Sequence, residues 1–104
     1  MSLHRTAAKR DASEPLIVSA LEQAGFSVLR LSVKDGPDLL LGRNGRDRTA
    51  ECKTGKAKLK PGQKTFAENW RGAKPLVLRS MDDALALIQS WPASGAALGQ
   101  EQSR

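Results

Sequence analysis

What this chain of 104 residues lacks narrows its class before any motif is considered. It has a single cysteine, Cys52, which excludes an intramolecular disulfide and a cysteine zinc site. A lone thiol is compatible with a reducing compartment, and a cytoplasmic location is the expectation. No run of about 18 apolar residues exists and no secretory apolar segment opens the chain, so neither a membrane span nor a leader is expected. The one histidine, His4, lies in a stretch without periodicity and is no evidence of a catalytic base. There is no Gly-rich nucleotide loop, no Ser/His/Asp arrangement and no internal repeat.

What is present is charge of one sign. Lysine and arginine outnumber aspartate and glutamate 17 to 11, a formal net charge of +6, and the pI is near 10.0. That balance favours a polyanionic partner. With 27% charged and 39% apolar residues the composition fits a single soluble domain with a modest core. Three stretches are expected: a flexible basic arm over residues 1–12 carrying His4, Arg5, Lys9 and Arg10, a folded domain over 13–91, and a disordered tail rich in Ala, Gly, Ser and Gln over 92–104.

Periodicity predicts the order α-β-β-β-α-β-α. A first helix from Ser13 to Ala24 has Ser13 as N-cap, Pro15 in its first turn and Gly25 as its stop, with Leu16, Ile17, Ala20, Leu21 and Ala24 apolar. A first strand covers 26–32, and Asp35-Gly36 marks the turn after it. The second strand runs from Asp38 to Leu41 or Gly42 and the third from about Asp47 to Lys53. Pro61 and Gly62 open a second helix, on which Gln63, Phe66, Ala67 and Trp70 share a face; Phe66 and Trp70 are expected in the core. Residues 75–79 form a buried strand, parallel to the third because a helix crosses between them. Ser80 caps a last helix that Pro92 stops.

The chemistry concentrates between Gly36 and Lys53. Asn44-Gly45 between two strand-like runs signals a two-residue hairpin turn, because that turn needs positive φ at both positions. Counting outward from this turn pairs Leu39 with Ala50 and, one step further, Asp38 with Glu51. Directly opposed side chains stand about 4.5–5.5 Å apart, and like charges there repel. A hard divalent cation removes the repulsion, since it takes oxygen ligands and often uses one or two carboxylates together with phosphates. Lys53 falls on the Glu51 face, where it suits a phosphate or an attacking water, whereas Cys52 points the other way with its thiol in the core. Glu14 heads the buried face of the first helix, either to complement the helix dipole or to meet the carboxylates. Gln63 heads the second helix, either as a capping residue or facing an anion at the helix N-terminus. Lys56, Lys58, Lys60 and Lys64 border the same place and are the expected phosphate contacts. Asp35 is a competing carboxylate whose turn position favours solvation.

Pro37-Asp38, then a hairpin, then Glu51-Cys52-Lys53 resembles the PD-(D/E)XK nuclease superfamily, and within it the small VRR-NUC and Holliday-junction-resolvase-like members. The likeness covers roughly residues 13–90. The short motif is weak by itself; the flanking order of elements is the more specific signal. The resemblance implies a restriction-endonuclease-like αβββαβ core, an α/β fold with a mixed four-stranded sheet flanked by helices. It implies Mg²⁺ or Mn²⁺ held by Asp38, Glu51, the Cys52 carbonyl and Glu14, with Asp38, Glu51, Lys53 and Gln63 as the catalytic set. It further implies a homodimer and a DNA substrate, branched or duplex. A basic nucleic-acid-binding module with an idle centre is the competing reading, and it leaves the intact Asp, Glu and Lys set without a use. An accessory protein that only binds other proteins leaves the carboxylate pair unexplained.

Overall fold

The computed structural model describes residues 10–93. The arm over 1–9 and the tail from 94 onward lie outside the described residues. Within them the order is α1 (Glu14–Gln23), β1 (Ser27–Arg30), β2 (Leu39–Arg43), β3 (Arg46–Cys52), α2 (Pro61–Asn69), β4 (Leu76–Leu78) and α3 (Met81–Ser90). The expected order holds, with element ends displaced by a residue or more, as fraying and cap geometry dictate.

The four strands form one sheet in the order β1-β2-β3-β4. β1 and β3 are antiparallel to β2, and β4 is parallel to β3. Asn44 (φ 55°) and Gly45 (φ 80°) make the tight hairpin turn. Its register pairs Leu39 with Ala50 and Arg43 with Arg46, as the turn chemistry requires. The regular ladder ends at Leu39, so Asp38 is not directly paired with Glu51, a departure from simple outward counting.

The core gathers Ile17, Val18 and Leu21 of α1, Leu39 and Leu41 of β2, Ala50 and Cys52 of β3, Leu78 of β4 and Ala84 of α3. Each large aliphatic side chain buried here contributes roughly 1.5–3 kcal/mol. Phe26 and Trp91 close one end in an edge-to-face contact at 4.8 Å, while Trp91 Nε1 donates to Arg43 O at 2.8 Å. Leu16, expected on the apolar stripe, is 67% exposed, because the buried face of α1 runs through Ile17, Val18 and Leu21. Ser80 caps α3 as expected, its Oγ accepting from Asp83 N. Ser13 makes no side-chain cap; its Oγ donates to Asp11 instead.

A further expectation fails. Phe66 and Trp70 are not core residues. Helix α2 contributes no buried residue, Trp70 is 45% exposed, and the two rings stack on each other at 5.3 Å with 13° between their planes. The 3.6-residue spacing that puts them on one face is present, but that face is not sealed against the sheet.

Candidate active site

Asp38 is delivered by the turn before β2. Gly36 N donates to Val33 O at 3.0 Å, and a Cβ on Gly36 would come within 2.9 Å of Val33 Cγ1, so the tight turn needs a glycine there. Asp38 N then donates to Ala50 O, the carbonyl opposite Leu39, at 2.9 Å. Two residues of one strand thus oppose one of the other, the arrangement of a β-bulge, which re-aims a side chain. Asp38 Oδ2 accepts from Cys52 N at 2.8 Å. One donor atom each from Glu14, Asp38 and Cys52 lie within 4.8 Å of one another.

Glu51 comes from the end of β3, where Ala50, Glu51 and Cys52 are all buried. Its Oε1 accepts from Gln63 Nε2 at 3.0 Å. Gln63 also accepts from Lys60 N through its own Oε1 at 2.9 Å. This glutamine therefore caps its helix and reaches the site at once. Its amide ties the start of α2 to the third strand.

Burial dominates the electrostatics of the two carboxylates. Burial, then the charge of Asp38, pushes Glu51 up to about 7 from an ordinary value of 4.5, with Lys53 opposing. Asp38 is also raised, first by burial; the Cys52 amide is the strongest opposing influence, and the charge of Glu14 adds to the rise. Cys52 is 2% exposed, and burial plus the charges of Glu14 and Asp38 push its thiol up to about 12, so it stays protonated. A neutral thiol is a poor ligand; the donors on offer are carboxylate oxygens, suited to a hard cation.

Glu14 is 1% exposed. Its Oε2 takes Arg10 Nε at 2.8 Å and Arg30 Nε at 3.0 Å. Its Oε1 is buried with no hydrogen-bond partner, an acceptor left for another group. An all-oxygen donor set with an orphaned buried acceptor and two carboxylates of raised proton affinity fits a divalent metal.

A cleft of about 300 Å³ opens here, lined by Arg10, Asp11, Asp38, Cys52, Lys53, Lys60 and Gln63. Of the lysines expected at phosphates, Lys60 is in its wall. Lys56, Lys58 and Lys64 are exposed on the loop and helix beside it. Asp35 is exposed, as expected, at φ 61°. A larger cleft of about 520 Å³ lies at the other end of β3, against Arg48 and Trp91, away from the carboxylates.

Sequence reasoning missed three side chains. Arg10, expected to reach outward, turns inward: besides Glu14 it donates to Leu31 O and to Asp38 O at 3.0 Å. Its spacing of four residues from Glu14 was the available signal. Asp11 accepts from Ser13 N and Oγ and from Thr54 N and Oγ1, strapping the chain before α1 to the residue after Lys53. Although burial works the other way, these bonds hold its carboxyl down at about 2. Arg79 Nη1 donates to Gly55 O at 3.0 Å and so holds the lysine loop.

An aspartate before β2 and a Glu-x-Lys run at the end of β3, on a mixed sheet ordered β1-β2-β3-β4, form the arrangement expected from the resemblance to PD-(D/E)XK proteins. A solved structure of a VRR_NUC domain matches the chain with a TM-score of 0.66 at 27% identity, over 76% of this chain and 92% of that one. The chain is thus VRR-NUC-like in fold and in sequence. No family model and no curated protein matches it.

Proposed function

We propose that the protein is a divalent-metal-dependent DNA endonuclease that hydrolyses phosphodiester bonds with selectivity for DNA structure. The observation that carries this reading is the grouping of Glu14 and Asp38 donor atoms with Cys52, Glu14 Oε1 lacking a partner, beside the Glu51-Cys52-Lys53 end of β3 on a VRR-NUC-like fold. Burying two mutually repelling carboxylates costs stability and has no use in plain nucleic-acid binding.

Asp38, Glu51 and the Cys52 carbonyl would hold Mg²⁺ or Mn²⁺, with Glu14 Oε1 completing the shell. Bound there, the metal supplies a bound water of lowered pKa and charge stabilisation at the phosphate oxygens. Gln63, whose amide donates to Glu51 here, would hold a water or a phosphate oxygen if Glu51 were taken up by the metal. Lys53 orients the attacking water and stabilises negative charge developing on the phosphate. Arg10 fixes the Asp38 carbonyl and so holds the bulge that aims the carboxylate. Lys56, Lys58, Lys60 and Lys64 bind flanking phosphates, which position the strand without reading sequence. Cutting two strands with one small site per chain favours a homodimer.

The test is a cleavage panel of linear, flapped, forked and four-way DNA with Mg²⁺ and with Mn²⁺. Cleavage that depends on metal and differs between structures is expected. Purified protein that binds DNA yet cuts none of these substrates with either metal would overturn the reading in favour of an idle module.

A further inference from the structure

Residues 53–74 carry six lysines, one arginine and one glutamate, an excess of positive charge as large as that of the whole chain. In the midst of this stretch stands the Phe66–Trp70 stack, unsealed on a helix with no buried residue. Trp70 is 45% exposed, and exposed Arg71 and Lys74 follow it closely. Lys74 Nζ donates to Glu68 O and Trp70 O, which closes the end of α2.

We propose that the Phe66–Trp70 pair is a stacking platform for an unpaired nucleobase of the DNA strand held at the cleft. Aromatic faces beside a cationic track are how proteins hold single-stranded nucleic acid, because every base offers a π-face while the lysines follow the backbone. Charge complementarity selects this occupant. A second copy laid on the same face would bring an equal positive charge against it, which opposes association, whereas a polyanion is drawn to it.

The helix sets the distance. Gln63 and Phe66 share a face of α2, Trp70 ends that helix with its ring stacked on Phe66, and at about 1.5 Å rise per residue Trp70 lies about 10 Å beyond Gln63. With nucleotides spaced about 3.4 Å along a stacked strand, the platform meets a base about three nucleotides from a phosphate bound at Gln63. The substrate is therefore DNA that is unpaired next to the cut, such as a flap, fork or open junction, and not a continuous duplex. This inference rests on the nuclease reading for the placement of the scissile phosphate.

The test measures binding by the full chain in EDTA, so that nothing is cut. The probes are a labelled oligothymidylate of about 15 nucleotides, near the upper site size for such platforms, and a blunt duplex of the same length. Trp70→Ala is expected to weaken oligothymidylate binding by roughly 5- to 150-fold, the range for removing one base stack. Duplex binding and the salt slope stay unchanged, since every phosphate keeps its cationic partner. Trp70→Phe restores most of the affinity. Equal weakening on both probes, no weakening, or a change of oligomeric state in Trp70→Ala overturns the proposal, the last by giving the face to a second copy. Trp70-dependent strand binding by a protein that cuts nothing overturns the nuclease reading and leaves the platform standing. Cleavage by a protein whose binding ignores Trp70 does the reverse.

Discussion

Glu51→Gln isolates the electrostatic cost of the site. Gln keeps an oxygen to accept from Gln63 Nε2, so shape and that hydrogen bond survive. What goes is a carboxylate whose pKa the fold lifts from 4.5 to about 7. An acid raised in the folded state binds more protons there than in the unfolded chain, so its contribution is full below 4.5 and is lost as the pH climbs through 7. A lift of that size amounts to about 3 kcal/mol. The new amide adds a buried N–H₂ that costs about 1–3 kcal/mol if it finds no partner. The absolute gain at high pH is therefore about 0–2 kcal/mol, at most on the order of 10 °C in Tm for a domain of this size. The pH dependence is the cleaner quantity. Chemical denaturation in EDTA should show the variant-minus-wild-type difference moving in favour of the variant by about 3 kcal/mol between about pH 4 and pH 8. Wild-type protein should recover stability on adding Mg²⁺, by about 2.7 kcal/mol at 100 times Kd, and the variant should not. Parallel stability curves for the two proteins across this pH range would refute the reasoning.

Other perturbations separate the remaining roles. Asp38→Asn and Lys53→Ala should each abolish cleavage, but calorimetric titration should find Mg²⁺ binding weakened only in Asp38→Asn. Replacing Lys56, Lys58 and Lys60 by Ala should lower the log–log salt slope of duplex binding by about 0.9 for each phosphate that these lysines neutralise; an unchanged slope would remove this loop from the interface. A Cβ on Gly62 would meet only the carboxyl end of Asp35, an exposed side chain that can turn away, so Gly62→Ala should leave the start of α2 and Gln63 in place. Cleavage should stay close to wild type in that variant, and a marked loss that Gly62→Ala/Asp35→Ala restores would show that Asp35 is held firmly against α2.

The hairpin was legible in the chain because Asn44-Gly45 permits essentially one turn, and one turn dictates the register of both strands. The parallel placement of β4 was legible because a helix between two strands leaves few other connections. Asp38 was harder. Its bulge is held by Ala50 O, which takes the Asp38 amide, and by the Cys52 amide, which its carboxylate takes up, contacts with a strand beyond the hairpin. Phe66 and Trp70 mark the limit of periodicity, which tells which residues share a face of a helix and not whether anything lies against it. Arg10 was hidden for a related reason. A basic residue near a chain terminus is usually solvated, and only the fold brings the Leu31 and Asp38 carbonyls within its reach.

Around the cleft four carboxylates, Asp11, Glu14, Asp38 and Glu51, are set against four cations, Arg10, Arg30, Lys53 and Lys60. The balance lets the fold survive without metal, and it makes Arg10 a competitor for the charge a metal would bring. Arg10→Ala therefore has two opposed effects. It leaves buried Glu14 with Arg30 alone, whose side chain is 51% exposed, so metal-free stability should fall by about 2–3 kcal/mol, less than the roughly 3–5 kcal/mol for a buried charge stripped of all partners. The site also becomes net negative, so Mg²⁺ should bind more tightly and its stabilising effect in thermal melts should grow. Cleavage should fall nonetheless, because the Asp38 carbonyl loses the guanidinium that holds the bulge in place. Tighter metal binding with slower cutting is the pattern of a positioning residue. If Arg10→Ala weakens Mg²⁺ binding in step with activity, Arg10 is needed to build the metal site itself and does not compete with the metal for it.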